Sequence, residues 1–346
     1  MLPCLKLDSR ASPVIACDGT MGISPLSAMG SDYASIGTTQ GATPGSTTSD
    51  ANYSIGDTIM SVVSETDFVT GEFAQVGVTG GAEIVKLGTV AAGQLDLDAV
   101  EHPRGLRKAH TSGVAVVEKI SPFTHTILSG SGLLEGITIL MKHTVSNTFY
   151  VVRGMMNSTW DVTHNADDTL GAIASGWVAK SVQIIETDIF GTPIERAHLP
   201  LTHYEKDVKL DGTTISTNLW RTFTTNKANN TSGAFVCGSQ FRGSIAPGAD
   251  RSFTGTFTYQ YNDTAQNIKT LLQTETAIIL QYNSIQNSGF QLEFNMPKSI
   301  FGGNPAVDVN SGDPIETGQT FSTKKDTGGL ETDVQITVIN DEPTLV

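Results

Sequence analysis

Gly113-Val114-Ala115-Val116-Val117-Glu118 and Gly255-Thr256-Phe257-Thr258-Tyr259-Gln260 are two glycine-led stretches of strand-forming residues, 142 positions apart. Each is followed by a short helical candidate. The first is Ser121-Pro122-Phe123-Thr124-His125-Thr126-Ile127-Leu128. Here Ser121 can cap, Pro122 suits the first helical position, and Phe123 with Ile127 make an i, i+4 apolar pair. The second is Asn262-Asp263-Thr264-Ala265-Gln266-Asn267-Ile268-Lys269-Thr270-Leu271-Leu272. It places Ile268, Leu271 and Leu272 on one face, with Asp263 and Gln266 as a capping pair. Further on, Ile137-Thr138-Ile139-Leu140 matches Ile278-Ile279-Leu280-Gln281, and Asn147-Thr148-Phe149-Tyr150-Val151 matches Ser288-Gly289-Phe290-Gln291-Leu292, both at an offset of 141. Met155 matches Met296, and Ser181-Val182-Gln183-Ile184 matches Asp333-Val334-Gln335-Ile336 at an offset of 152. This ordered recurrence predicts a duplicated β unit.

Outward from these segments the pattern stays β. Ile59-Met60-Ser61-Val62-Val63 and Glu83-Ile84-Val85-Lys86-Leu87 are further short apolar runs rich in branched residues. Val208-Lys209-Leu210-Asp211-Gly212-Thr213-Thr214-Ile215-Ser216 reads as a hairpin with Asp-Gly at its turn. Phe190-Gly191-Thr192-Pro193-Ile194-Glu195-Arg196-Ala197-His198-Leu199-Pro200 has no strand period and reads as a linker. Before residue 55 the chain is rich in Gly, Ser and Thr and resembles an arm. The expected division is an extended arm over 1–54, a first β unit over 55–190, a linker over 191–206 and a second β unit over 207–346. The fold class expected is mainly β: two tandem sandwich or barrel units, each with a short α-helix.

Composition narrows the function. The 346 residues carry 21 Lys and Arg against 35 Asp and Glu, a net charge of −14. An acidic chain is a poor direct binder of phosphates, which need cations to displace counterions. No apolar run is long enough for a transmembrane helix, so no membrane span is expected. Cys4, Cys17 and Cys237 are too few for a disulfide scaffold and fit a reducing compartment. Val14-Ile15-Ala16-Cys17 has the form of a lipoprotein cleavage box, but the acid, arginine and proline before it replace the required apolar run.

Catalytic patterns are not found. His102, His110, His125, His143, His164, His198 and His203 show no metal-ligand spacing. Asp161, Asp167 and Asp168 lie near His164, but the loop lacks the spacing of a calcium site and reads as a solvated turn. There is no nucleophile elbow, phosphate loop or dinucleotide fingerprint. Cys237, in Phe235-Val236-Cys237-Gly238, reads as core. Arg104-Gly105-Leu106-Arg107-Lys108 could meet DNA, but reads better as an exposed cluster or a partner for acids on an adjacent subunit. No enzyme activity and no cofactor, metal or catalytic site is expected.

The second half resembles the major tail tube proteins of long-tailed, siphovirus-like bacteriophages. The resemblance rests on Ser252-Phe253-Thr254-Gly255-Thr256-Phe257-Thr258-Tyr259 with the Asn262–Thr274 helical candidate, on Phe290-Gln291-Leu292-Glu293-Phe294-Asn295-Met296-Pro297-Lys298, and on Asp333-Val334-Gln335-Ile336-Thr337-Val338-Ile339-Asn340. In the first half, Phe149-Tyr150-Val151-Val152-Arg153-Gly154-Met155-Met156-Asn157-Ser158 resembles a strand-turn-strand segment of the same family. The likeness covers residues 107–190 and 207–341 in pattern and element order, and 1–54 have no counterpart. It implies a structural virion protein whose β-sandwich or barrel-like units form rings of six, stacked into a hollow tube that conducts DNA. With two units per chain, trimeric rings would have pseudo-sixfold symmetry. The implied partners are further copies of the chain, the tail terminator, tape measure and distal tail proteins, and DNA passing non-specifically through an acidic lumen. The implied location is the virion tail, assembled in the host cytoplasm. The rival readings are a capsid decoration or head–tail connector protein, and a carbohydrate-binding or adhesive β-sandwich.

Overall fold

Residues alternating between an apolar and a polar face form strands almost throughout. The computed structural model describes residues 14–19, 32–39, 44–78, 82–99, 102, 105–106, 108–129, 137–143, 148–165, 172–186, 206–215, 220–235, 242–246, 252–260, 274–283, 291–308, 316–324 and 333–340. Among the described residues every regular element is a β-strand, and no helix is long and apolar enough to cross a membrane. In chain order the strands begin with β1 (Val14–Gly19), β2 (Asp32–Thr39), β3 (Ser46–Thr48), β4 (Ile59–Ser61), β5 (Phe73–Val76), β6 (Glu83–Ala91) and β7 (Gln94–Leu97). Then come β8 (Ala115–Leu128), β9 (Ile137–His143), β10 (Thr148–Asn165), β11 (Ala172–Val178), β12 (Ser181–Ile185), β13 (Lys206–Leu210), β14 (Thr213–Ile215) and β15 (Trp220–Ala228). The last are β16 (Ser232–Phe235), β17 (Arg242–Ala246), β18 (Ser252–Gln260), β19 (Glu275–Asn283), β20 (Gln291–Asp308), β21 (Glu316–Thr323) and β22 (Gln335–Asn340).

The expected helix over 121–128 is a strand, the second half of β8. Phe123, His125 and Ile127 are buried while Thr124, Thr126 and Leu128 between them are less so, a period of two. The i, i+4 pair of Phe123 and Ile127 misleads because four is an even number, and both residues share one face of a strand as well as of a helix. Ser121 and Pro122 fall at a register shift in the pairing of β8 with β2, where the ladder does without the proline's missing N–H. The second helical candidate falls on residues 261–273, outside the described residues. The Asp211-Gly212 hairpin joins β13 to β14, with both turn residues at positive φ, 47° and 76°.

Segment 1–54, expected as an arm, contributes three strands to sheets of its own chain: β1 pairs β9, and β2 and β3 both pair β8. The first half of β8 also pairs β5, and the order continues through β6 and β7 to β4. This small sheet encloses its own core around Met60, Val62, Val85, Leu87, Leu95 and Val116.

Two long strands organise the rest. β10 and β20 each have 18 residues. The first half of β10 lies between β9 and β12, giving the order β1-β9-β10-β12. The first half of β20 lies between β19 and β22, giving β13-β19-β20-β22. Each long strand then carries a bulge, two residues against one: Arg153-Gly154 opposite Thr138, and Pro297-Lys298 opposite Ala277. Beyond the bulge, β10 pairs β11 and β20 pairs β21. The second half of β10 also meets β15, so the order β11-β10-β15-β18-β21-β20 forms a second large sheet. The first runs β14-β13-β19-β20-β22-β8-β2. β20 belongs to both, and the network rolls into a barrel-like wall.

The inner faces share one core. Trp160, Phe223, Phe253, Phe257 and Phe321 come from the second sheet, and Leu280, Leu292, Phe294, Ile336 and Ile127 from the first. Trp160 and Phe294 meet across the gap with ring centroids 5.9 Å apart. The packing is tight at Gly255. A Cβ there would lie 2.6 Å from both Cε1 of Phe321 and the carbonyl oxygen of Thr224. Gly255→Ala is therefore expected to destabilise the chain by about 1–3 kcal/mol in a denaturant titration, whereas the exposed Thr254→Ala should stay within about 0.5 kcal/mol. Equal midpoints for the two variants would contradict this packing.

Candidate functional site

Three histidines with described side chains, His102, His110 and His125, make contacts within the fold. His110 Nε2 lies 2.8 Å from Glu83 Oε1, which also accepts the Lys108 backbone N–H at 3.1 Å. Both side chains are buried, and the Tyr53 ring stands edge-on to His110. This pair fastens residues 108–110 to β6. His102 Nε2 accepts the Lys86 backbone N–H at 2.8 Å, which places its ring proton on Nδ1. His125 is fully buried and pairs with Asn340 Oδ1 at 3.1 Å, joining β8 to β22. Among the described residues no group of three or more His, Cys, Asp or Glu could hold a metal. The side chains of His143, His164, His198, His203, Asp167, Asp168 and Cys237 lie outside the described residues, as do Arg104 and Arg107.

A shallow concavity of about 570 Å³ lies on the outer face of the second sheet. Register builds it. Thr163, Thr224, Thr256 and Thr320 stand opposite one another across β10, β15, β18 and β21. Asp161, Asn226, Thr254 and Ser322 form the adjacent row. Neighbouring strands lie about 4.7–4.9 Å apart, so each row is a close file of hydroxyls and amides. Asp161 is the only charged residue of the lining, and it accepts a hydrogen bond from the Asn226 side chain. Phe321 is the only aromatic lining residue, and it is buried. Among its described lining residues the concavity therefore offers neither the two carboxylates of glycoside chemistry nor a cation for phosphate. Alternate threonines in Thr254-Gly255-Thr256-Phe257-Thr258 were its one sequence signal. The rows themselves depend on pairings that a single sequence does not show.

A second feature is an edge. Val182 and Ile184 on β12 are 55% and 62% exposed. Their counterparts at the offset of 152, Val334 and Ile336, are buried in the shared core. β22 is covered on its outer side by β8, through six residue pairs from Gln335↔Leu128 to Asn340↔Phe123. β12 pairs β10 on one side, and among the described residues no strand pairs its other side. Near its start, the Arg242 guanidinium donates to the Ala179 carbonyl at 3.3 Å. An exposed apolar edge is a template for another strand unless an assembly covers it.

Comparison with protein-family models and with curated proteins finds no match for this chain.

On the outer face of the first sheet, Glu293 stands between Gln281 on β19 and Thr337 on β22. Burial pushes its carboxyl above the ordinary range, and Lys209 pulls it partly back. A raised value means the folded chain keeps a proton that the unfolded chain has released. The group therefore costs stability above the unfolded range, and the cost disappears below it. Glu293→Gln is expected to raise the denaturation midpoint at neutral pH, with the gain vanishing below about pH 4, under the ordinary glutamate value. A gain independent of pH would show that charge burial is not its cause.

Proposed function

We propose that this chain is the repeating subunit of a bacteriophage tail tube, a structural protein that polymerises into stacked rings and conducts DNA into the host. One observation carries the reading. Two sheets with the same strand order, β1-β9-β10-β12 and β13-β19-β20-β22, are each built on a bulged 18-residue strand, and among the described residues a strand, β8, covers the outer edge of the second alone. This supports two tandem copies of one unit. It also supplies a covered edge inside the chain and an apolar edge, paired by no strand among the described residues, that suits the next subunit.

A head-to-tail contact of that kind propagates or closes into a ring according to its rotation. With two units per chain, three chains make one ring of six units. The tail terminator, tape measure and distal tail proteins would bound such a tube, in a virion tail assembled in the host cytoplasm. The charge fits passage of DNA. With 35 acids against 21 bases, a lumen wall of this chain repels phosphates rather than holding them. Screening over about 8 Å limits that effect to groups at the wall itself.

Negative-stain microscopy of purified chain should show rings or rods with a central channel of DNA width. The double variant Val182→Asp, Ile184→Asp should remain folded by circular dichroism yet sediment as a monomer. Globular monomers from the unaltered chain at high concentration would overturn the proposal, as would unimpaired rods from the double variant for this edge.

A further inference from the structure

Lys227 on β15 is completely buried, although lysine is among the residues least often found inside. Its neighbours across the strands are Trp160 on β10 and Phe253 on β18. The two rings meet each other with centroids 5.5 Å apart. Lys227 Nζ contacts Asp333 Oδ2, 106 residues further along and just before β22. The other carboxyl oxygen, Asp333 Oδ1, is buried with no hydrogen-bond partner among the described residues. The pair joins the inner faces of the two large sheets.

We propose that Lys227 and Asp333 are a modification site: they condense into an intramolecular amide that cross-links the two sheets. Ammonium and carboxylate in an aromatic pocket both carry a desolvation penalty, which attraction between them only partly offsets. Condensation removes both charges. Nζ passes one proton to Oδ2, leaving a neutral amine and a neutral acid. The nitrogen lone pair then forms a bond to Cγ. The Cγ–Oδ2 bond breaks, and the departing hydroxyl takes a second proton from nitrogen and leaves as water. The products are one amide and one water, with no change of oxidation state. Groups held in contact reach effective concentrations on the order of 10⁵–10⁸ M, so proximity replaces an external catalyst. The water leaves to solvent, and the product amide is neutral.

Intact mass spectrometry of the denatured full-length chain decides the matter. The unaltered chain should be lighter by one water than its sequence requires. Trypsin should leave the bond after residue 227 uncut and yield one branched peptide joining the Lys227 and Asp333 segments. Lys227→Arg and Asp333→Ala should each restore the full mass. A full-mass unaltered chain without a branched peptide would show an ion pair only and overturn the proposal. So would a missing water that persists in Lys227→Arg, since it would come from another site. The peptide map of the unaltered chain decides even if both variants fail to fold. Either result leaves the tube reading untouched.

Discussion

Trp160 and Phe294 come from different halves of the chain and meet inside a single core. Most of the fold follows from that contact. It requires the second half of β10 to lie over the first half of β20, and so brings the two large sheets face to face. Removing a buried aromatic of this size costs about 3–5 kcal/mol. A partly exposed pair such as Lys86 with Asp98, 3.8 Å apart, contributes about 1 kcal/mol at most. Apolar burial therefore outweighs surface charge in fixing the architecture. Among the described residues, Glu83 meets His110 and Lys227 meets Asp333 inside the protein, while the buried Glu118 accepts the Gly45 backbone N–H.

The strands were legible in the sequence where local chemistry decides them. Val208–Ile215 shows its hairpin because Asp211-Gly212 suits the positive φ of the turn. The matched segments Ile137–Leu140 and Ile278–Gln281 became β9 and β19, each the partner of a long strand. Residues 121–128 were misread because an interval of four belongs to both periodicities. The pairing of β2 and β3 with β8 was out of reach, since Asp32 and Leu128 are far apart in sequence and no local signal joins them. The same limit hid the edge. Val182-Gln183-Ile184 and Val334-Gln335-Ile336 are alike on paper, and only the neighbouring strands make one exposed and the other core.

The hydroxyl rows and the apolar edge divide two tasks between two surfaces. The concavity on the outer face of the second sheet is lined by polar groups in regular files, with Asp161 as the one charged residue of its described lining. The β12 edge has branched apolar side chains in the open. A surface of the first kind is well hydrated and sticks to little, while one of the second kind joins readily to another strand. Their separation lets one polypeptide remain well hydrated over a broad face while keeping a narrow line of association.

The bulges at Arg153-Gly154 and Pro297-Lys298 have a mechanical consequence. A strand that changes sheets partway carries load between them through its own covalent backbone. Tension applied along β20 is borne at once by ladders to β19, β22 and β21. Those ladders must fail together in shear rather than unzip one rung at a time.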